Sequence, residues 1–156
     1  MARDLGYVVA RPIAHRGLHD RARGVIENTG SAFAAALRHG FAFDCDVQLS
    51  ADGEAVVFHD FALDRLTHGT GKVVAHTAAQ LKALAMKDTA DHIGTAADMF
   101  TQVAGKTLIV CEIKSAYNGD MALTNRIATL VKQYSGPIVI KSFDPAIVAH
   151  WHTLNT

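Results

Sequence analysis

Hydrophobic and polar positions along the chain switch between two periods. From 41 to 49 they alternate, with Phe43, Cys45, Val47 and Leu49 on one side and Asp44, Asp46 and Gln48 on the other. Period two predicts a strand. Residues 7–14, 55–58, 107–113 and 138–142 are short, mainly apolar runs, also read as strands, with Pro12 an awkward member of the first. Between them the spacing turns helical. Phe33 and Leu37 lie four apart in a helix over 31–39 that Gly40 would close. Leu123, Ile127, Leu130, Val131 and Tyr134 form one stripe over 121–134, which Gly136-Pro137 ends. Thr77 with Gln80 and Thr95 with Asp98 have capping-box spacing ahead of apolar residues. Asp144-Pro145 reads as N-cap and first residue of a last helix running to Thr156.

Strands alternating with helices predict an α/β fold with a largely parallel sheet. One connection breaks the alternation. The stretch from Asp46 to His59 is too short for a crossover helix, and Asp52-Gly53 in its middle is a tight-turn signal. A two-residue turn would set Asp46 opposite His59, and a bulged turn would shift the pairing by one residue.

Composition narrows the class. The 156 residues suit a single domain over 1–156, and 49% of them are apolar, enough for a core. Fifteen basic residues balance fifteen acidic ones, so no basic excess points to nucleic acid or an anionic membrane surface. No apolar run approaches the ~20 residues of a membrane span. Residues Met1 to Gly6 do not read as the start of a signal peptide. Two cysteines, Cys45 and Cys111, each inside an apolar segment, read as buried, reduced and inert, as in a cytoplasmic protein.

In parallel α/β folds, polar side chains at the carboxyl ends of strands build the active site. Here those positions carry His15 and Arg16 after the first strand, Asp44 and Asp46 on the second, His59 after the third, and Glu112 and Lys114 at the end of the fourth. Asp44 and Asp46 repel one another on one face unless a cation offsets them, and Glu112 would add a third oxygen donor. Glu112 sits within an apolar strand, where a carboxylate needs a partner. Lys114 is the purely structural alternative to a metal. Two histidines beside such acids suit general acid and base work near neutral pH, and the Arg16 guanidinium suits a phosphate. His15 and His19 have helical metal-pair spacing, but Gly17 between them argues for a loop. Gly69-Thr70-Gly71-Lys72 lacks the remaining residues of a phosphate loop.

Taken together, these residues resemble the glycerophosphodiester phosphodiesterase family. The match runs through His15-Arg16-Gly17, Glu27-Asn28-Thr29, Phe33, Gly40, Asp44, Asp46-Val47, Asp52-Gly53, Val56 to Asp60, Leu63, Arg65, Thr67 and Gly71. It ends at Glu112-Ile113-Lys114 and Ser142-Phe143. The resemblance implies a (β/α)₈ barrel of the phospholipase-C-like phosphodiesterases, hydrolysing glycerophosphodiesters to glycerol 3-phosphate and an alcohol. It implies that His15 and His59 are the acid/base pair, that Asp44, Asp46, Glu112 and Glu27 serve a Mg²⁺ or Ca²⁺ site, and that Arg16 and Lys114 face the phosphate. The family usually has Glu where this chain has Asp44.

Five strand segments fall short of eight, and a complete barrel usually takes ~250 residues, so an incomplete barrel is expected. A non-catalytic remnant, binding phosphate or self-associating through open sheet edges, is the alternative. A related barrel acting on lipid head groups ranks lower, since nothing in the sequence suggests membrane docking.

Overall fold

The computed structural model describes residues 6–154. The elements run α1 (Gly6–Val9), β1 (Ile13–Ala14), α2 (Gly30–Arg38), β2 (Ala42–Leu49), β3 (Ala55–Val57), α3 (Ala78–Ala83), α4 (Ala96–Val103), β4 (Ile109–Ile113), α5 (Ala122–Val131), β5 (Ile138–Lys141) and α6 (Pro145–Trp151). Among the described residues they form one five-stranded sheet in the order β1-β2-β4-β5, with β3 paired to β2. Four strands run parallel; β3 is antiparallel to β2. The architecture is that of an incomplete (β/α)₈ barrel, with helices on one face of a largely parallel sheet.

The alternating pattern of β2 explains the layering. Phe43, Cys45 and Val47 join Ile109, Cys111 and Ile113 of β4 in the main core, against Phe33 and Ala36 of α2, Phe100 and Val103 of α4, and Leu123 and Ile127 of α5. The Phe33 and Phe43 rings stack at 4.4 Å. Neighbours in register across parallel strands share a face, so Asp46, Glu112 and Lys141 form a row on the opposite, barrel-interior side. A second, smaller core of Ile26, Val56, Phe58, Leu63, Leu66, Val73, Leu81, Met86 and Ile93 consolidates the long segment after β3. That packing makes the region carrying His59 an ordered platform.

One expectation is corrected and one left open is decided. The first strand was expected over 7–14. Instead α1 occupies its start and only Ile13–Ala14 pair with β2. Pro12 has no N–H to give, and its carbonyl accepts from Ala42 N at 3.0 Å before the ladder begins. The β2–β3 turn takes the bulged form: Ser50 and Glu54 close the hairpin, and Gly53 adopts φ +81°. Phe58 N therefore donates to Asp46 O, and His59 lies one position further along.

The helix ends follow the sequence signals. Thr77/Gln80 and Thr95/Asp98 both form reciprocal capping boxes, and the Asp144 carboxylate caps α6 with Pro145 in its first turn. The last helix ends at Trp151 rather than continuing to Thr156, which lies outside the described residues, as do Met1 to Leu5, on which the signal-peptide expectation rested. No described helix is long and apolar enough to cross a membrane.

Candidate active site

The site lies at the carboxyl ends of β1, β2, β4 and β5. Parallel register of Ala14 with Phe43 sets His15 level with Asp44, and His15 Nδ1 lies 3.2 Å from Asp44 Oδ2. The Arg16 backbone N–H also donates to Asp44. Arg16 itself takes φ +56°, in the left-handed region that a side chain with a Cβ rarely adopts. Gly17 follows at φ +81°, and a Cβ there would stand 2.7 Å from the Ala32 Cβ of α2. The turn that presents His15 and Arg16 is thus wedged against the helix that follows it.

Three carboxylates and two ammonium groups interleave on the barrel-interior face. Lys114 Nζ lies 2.6 Å from Glu112 Oε1 and 3.0 Å from Asp46 Oδ1. Lys141 Nζ lies 3.1 Å from Asp44 Oδ2 and 3.4 Å from Glu112 Oε2. Asp44, Asp46 and Glu112 are all buried. Burial pushes the Asp44 carboxyl up, but the Arg16 amide and Lys141 more than offset it and hold it below the usual range. Burial likewise disfavours charge on both lysines, and their carboxylate partners override it and keep them protonated. Asn28, itself at φ +58°, clamps Asp46 twice: its Nδ2 donates to Oδ2 at 2.9 Å, and its Oδ1 accepts from Asp46 N at 3.1 Å.

The second histidine is held by a different chain of contacts. His59 Nδ1 lies 2.7 Å from Asp60 Oδ1. Asp60 accepts from Arg65 through both oxygens. Arg65 also forks onto Glu27, at 3.0 and 2.8 Å, and Glu27 accepts from Arg16 Nη1 at 2.8 Å. Arg65 is the main reason that the Asp60 carboxyl sits at about 2. Burial raises the Glu27 carboxyl, but Arg65 and Arg16 together bring it down to about 2. Gln48 fixes the same loop from β2, donating to Phe58 O at 2.9 Å and to Asp60 O at 2.6 Å.

The structure thus brings His15, Arg16, Asp44, Asp46, Glu112 and Lys114 together around the strand ends, and ties His59 to them through Asp60, Arg65 and Glu27. Among the described residues, no group of three or more His, Cys, Asp or Glu side chains is arranged to hold a metal ion as it stands. The reason is visible in the distances, since Lys114 and Lys141 occupy the space between the acids. The donor set still fits a hard divalent cation, because three buried carboxylates on one face supply the oxygen ligands that Mg²⁺ and Ca²⁺ prefer. Glu27 stands apart from that set, both of its oxygens being held by arginines. The Arg16 Nε is buried without a hydrogen-bond partner and lies at ion-pair distance, 3.6 Å, from Asp46 Oδ2.

Sequence reasoning gave no role to Lys141 or Gln48, and took Asn28, Asp60 and Arg65 only as points of resemblance. Lys141 carried a usable signal: it ends the apolar run 138–140 as Glu112 interrupts that of β4. The partners of Arg65 are 38 and 5 residues away and have no local signature.

Fold and site together define an α/β-barrel protein whose strand ends carry an acidic, lysine-bridged cluster flanked by two carboxylate-paired histidines. Residues 15–156 match the model of the glycerophosphoryl diester phosphodiesterase family. The chain belongs to that family. It is 33% identical over 142 residues to a glycerophosphodiester phosphodiesterase of Caldanaerobacter subterraneus subsp. tengcongensis, covering 85% of this chain and 57% of that one. It is 38% identical over 74 residues to human glycerophosphodiester phosphodiesterase 1, 46% of this chain and 21% of the relative. Among solved structures, an Oleispira antarctica phosphodiesterase in complex with the product sn-glycerol-3-phosphate superposes with a TM-score of 0.83 at 26% identity, covering 93% of this chain and 62% of that one. The Thermotoga maritima glycerophosphodiester phosphodiesterase gives 0.72 at 28% identity, covering 90% and 57%. The chain therefore spans about three-fifths of the length of the first of these relatives and of both structures.

Proposed function

We propose that this chain carries the catalytic face of a metal-dependent phosphodiesterase that cleaves glycerophosphodiesters to glycerol 3-phosphate and an alcohol. The observation that carries the reading is the cluster itself: Asp44, Asp46 and Glu112 side by side, with His15 and His59 each backed by a carboxylate. Asp44, Asp46 and Glu112 would hold Mg²⁺ or Ca²⁺; Glu27, bound to Arg16 and Arg65, would shape the site from behind. When bound, the cation would supply charge stabilisation and acidify a substrate hydroxyl.

The side chains define the remaining roles. Arg16 and Lys114 bind the phosphate. A carboxylate at Nδ1 of each histidine leaves Nε2 facing outward and sets the tautomer in which it can accept a proton. One imidazole takes the proton of the glycerol hydroxyl next to the ester as that oxygen attacks phosphorus; the other, protonated, gives its proton to the departing alkoxide. The resulting cyclic phosphate is opened by water with the roles reversed. We place the protein in the cytoplasm, a reading supported by Cys45 and Cys111, which are register partners on neighbouring strands and remain free thiols.

The test is phosphorus NMR of glycerophosphoethanolamine incubated with the chain and Mg²⁺ or Ca²⁺. Glycerol 3-phosphate is expected to accumulate, and to fail to do so with His15→Ala or His59→Ala. No product with either metal rejects the reading for this chain.

A further inference from the structure

Among the described residues, three of the six exposed large hydrophobic side chains are aromatic, and they stand together. Phe61 is 54% exposed, Tyr117 66% and Phe143 78%. They come from three separate connections, after β3, β4 and β5, yet all line one recess of about 160 Å³, together with Glu112 and Lys114. Their convergence sets three aromatic faces around one recess beside the site.

The recess is built on pinned turns. Tyr117 has φ +56°, a left-handed conformation unusual for a bulky side chain. It is held there by its N–H, which donates to Ser115 Oγ at 2.9 Å. Ser115 Oγ in turn donates to Asp144, tying the connection after β4 to the one after β5. Ser142 Oγ donates to Ile113 O at 2.7 Å, and Asp144 N donates to Ser142 Oγ at 3.2 Å. Phe143 therefore projects from a residue fixed on both sides.

We propose that this recess is the leaving-group subsite and that it takes a quaternary ammonium alcohol, the choline type; the proposal rests on the phosphodiesterase reading above. Aromatic faces attract a cation through the ring quadrupole. Lys114 suits the phosphate and the aromatic faces suit the ammonium, the two charges of a zwitterionic phosphocholine. The carboxylates lining it are already committed. Asp144 accepts from Ser115 and from Ala146 N, and Glu112 from Lys114 and Lys141. A primary ammonium would find no uncommitted carboxylate for its N–H groups, whereas a trimethylammonium needs none. At about 160 Å³ the recess lies below the ~300 Å³ of the smallest pockets that take drug-sized ligands, a size suited to a small alcohol.

The experiment is calorimetric titration of the chain with glycerophosphocholine and glycerophosphoethanolamine, in Mg²⁺ and separately in EDTA, with hydrolysis followed in parallel. Glycerophosphocholine is expected to bind about tenfold more tightly, of the order that a desolvated cation–π contact supplies. Phe143→Ala is expected to bring the two within about twofold, and Phe143→Trp to keep the preference. The 3,3-dimethylbutyl ester of glycerol 3-phosphate, a neutral copy of the choline shape, is expected to bind like the ethanolamine ester. Equal or undetectable binding of the two natural esters, no effect of Phe143→Ala, or choline-like binding of the neutral ester overturns the proposal. A choline preference without hydrolysis rejects the phosphodiesterase reading alone; hydrolysis without preference rejects the subsite alone.

Discussion

Lys141, on β5, reaches Asp44, on β2, across the full width of β4: Nζ to Oδ2 is 3.1 Å. Its second contact, at 3.4 Å, is Glu112 on the strand between. The ammonium thus neutralises two of the three carboxylates proposed to hold the cation, and a divalent ion entering there must displace it.

Replacing Lys141 by Gln leaves Asp44 and Glu112 repelling one another with less compensation. Lys141 is 39% exposed, so solvent screening limits the loss to about 1 kcal/mol. In EDTA the variant is expected to melt a few degrees below the parent, as ~1 kcal/mol implies for a domain of this size. Added Mg²⁺ or Ca²⁺ is expected to raise its melting temperature more than it raises the parent's. Melting curves with and without metal check both; an equal metal response in the two proteins would show that Lys141 does not compete.

Arg65 joins His59 to Arg16 through Asp60 and Glu27. Lysine keeps the charge but cannot fork onto two carboxylates at once. Arg65→Lys is expected to lower kcat about tenfold, the low end for losing an orienting partner behind a site residue. The fold should persist, as Arg65 lies outside both hydrophobic cores. Steady-state kinetics with circular dichroism checks this.

Acid stability should report the same chain of contacts. Glu27 and Asp60 sit at about 2 in the folded protein, below their ordinary values of 4.5 and 3.8. A lowered carboxyl stabilises the fold fully above its unfolded value, and that stability is lost as pH falls through the folded value. Stability is therefore expected to hold from neutral pH down to about 5 and to fall between about 4.5 and 2. Glu27→Gln removes the larger contribution, so urea midpoints against pH should decline less steeply in that window.

Gly17→Ala places a methyl 2.7 Å from Ala32 Cβ at a residue with φ +81°. Overpacking and backbone strain together are expected to destabilise the protein by about 2 kcal/mol or more. Denaturant unfolding measures it, and turnover should fall in parallel because the same turn carries His15 and Arg16.

Much of the fold was legible where one local rule decided. The alternation of Phe43 to Leu49 gave β2 and both its faces, and the threonine caps gave the starts of α3 and α4. The first strand was misread because Val8 to Ile13 is apolar enough for either structure, and only pairing beyond Pro12 decides. The hairpin register depended on whether the turn held two or three residues, which Asp52-Gly53 alone leaves open. In the site, His15, His59 and Lys114 sat just past strand ends, Glu112 near one, and Asp44 and Asp46 on the polar face of β2, so each could be found. Lys141 and Arg65 take their meaning from partners on other elements, as does the aromatic recess, whose residues 61, 117 and 143 meet only when three connections fold onto one rim.

The central claim is that the carboxylate cluster and the two histidines make a metal-dependent phosphodiesterase. The most direct measurement is glycerol 3-phosphate release from a glycerophosphodiester by the parent chain, in Mg²⁺ or Ca²⁺ and in EDTA, beside His15→Ala and His59→Ala. Release is expected with metal, to vanish in EDTA, and to fall by about 10²–10⁴ in each histidine variant. No release with either metal, or release that survives EDTA and both substitutions, would contradict it.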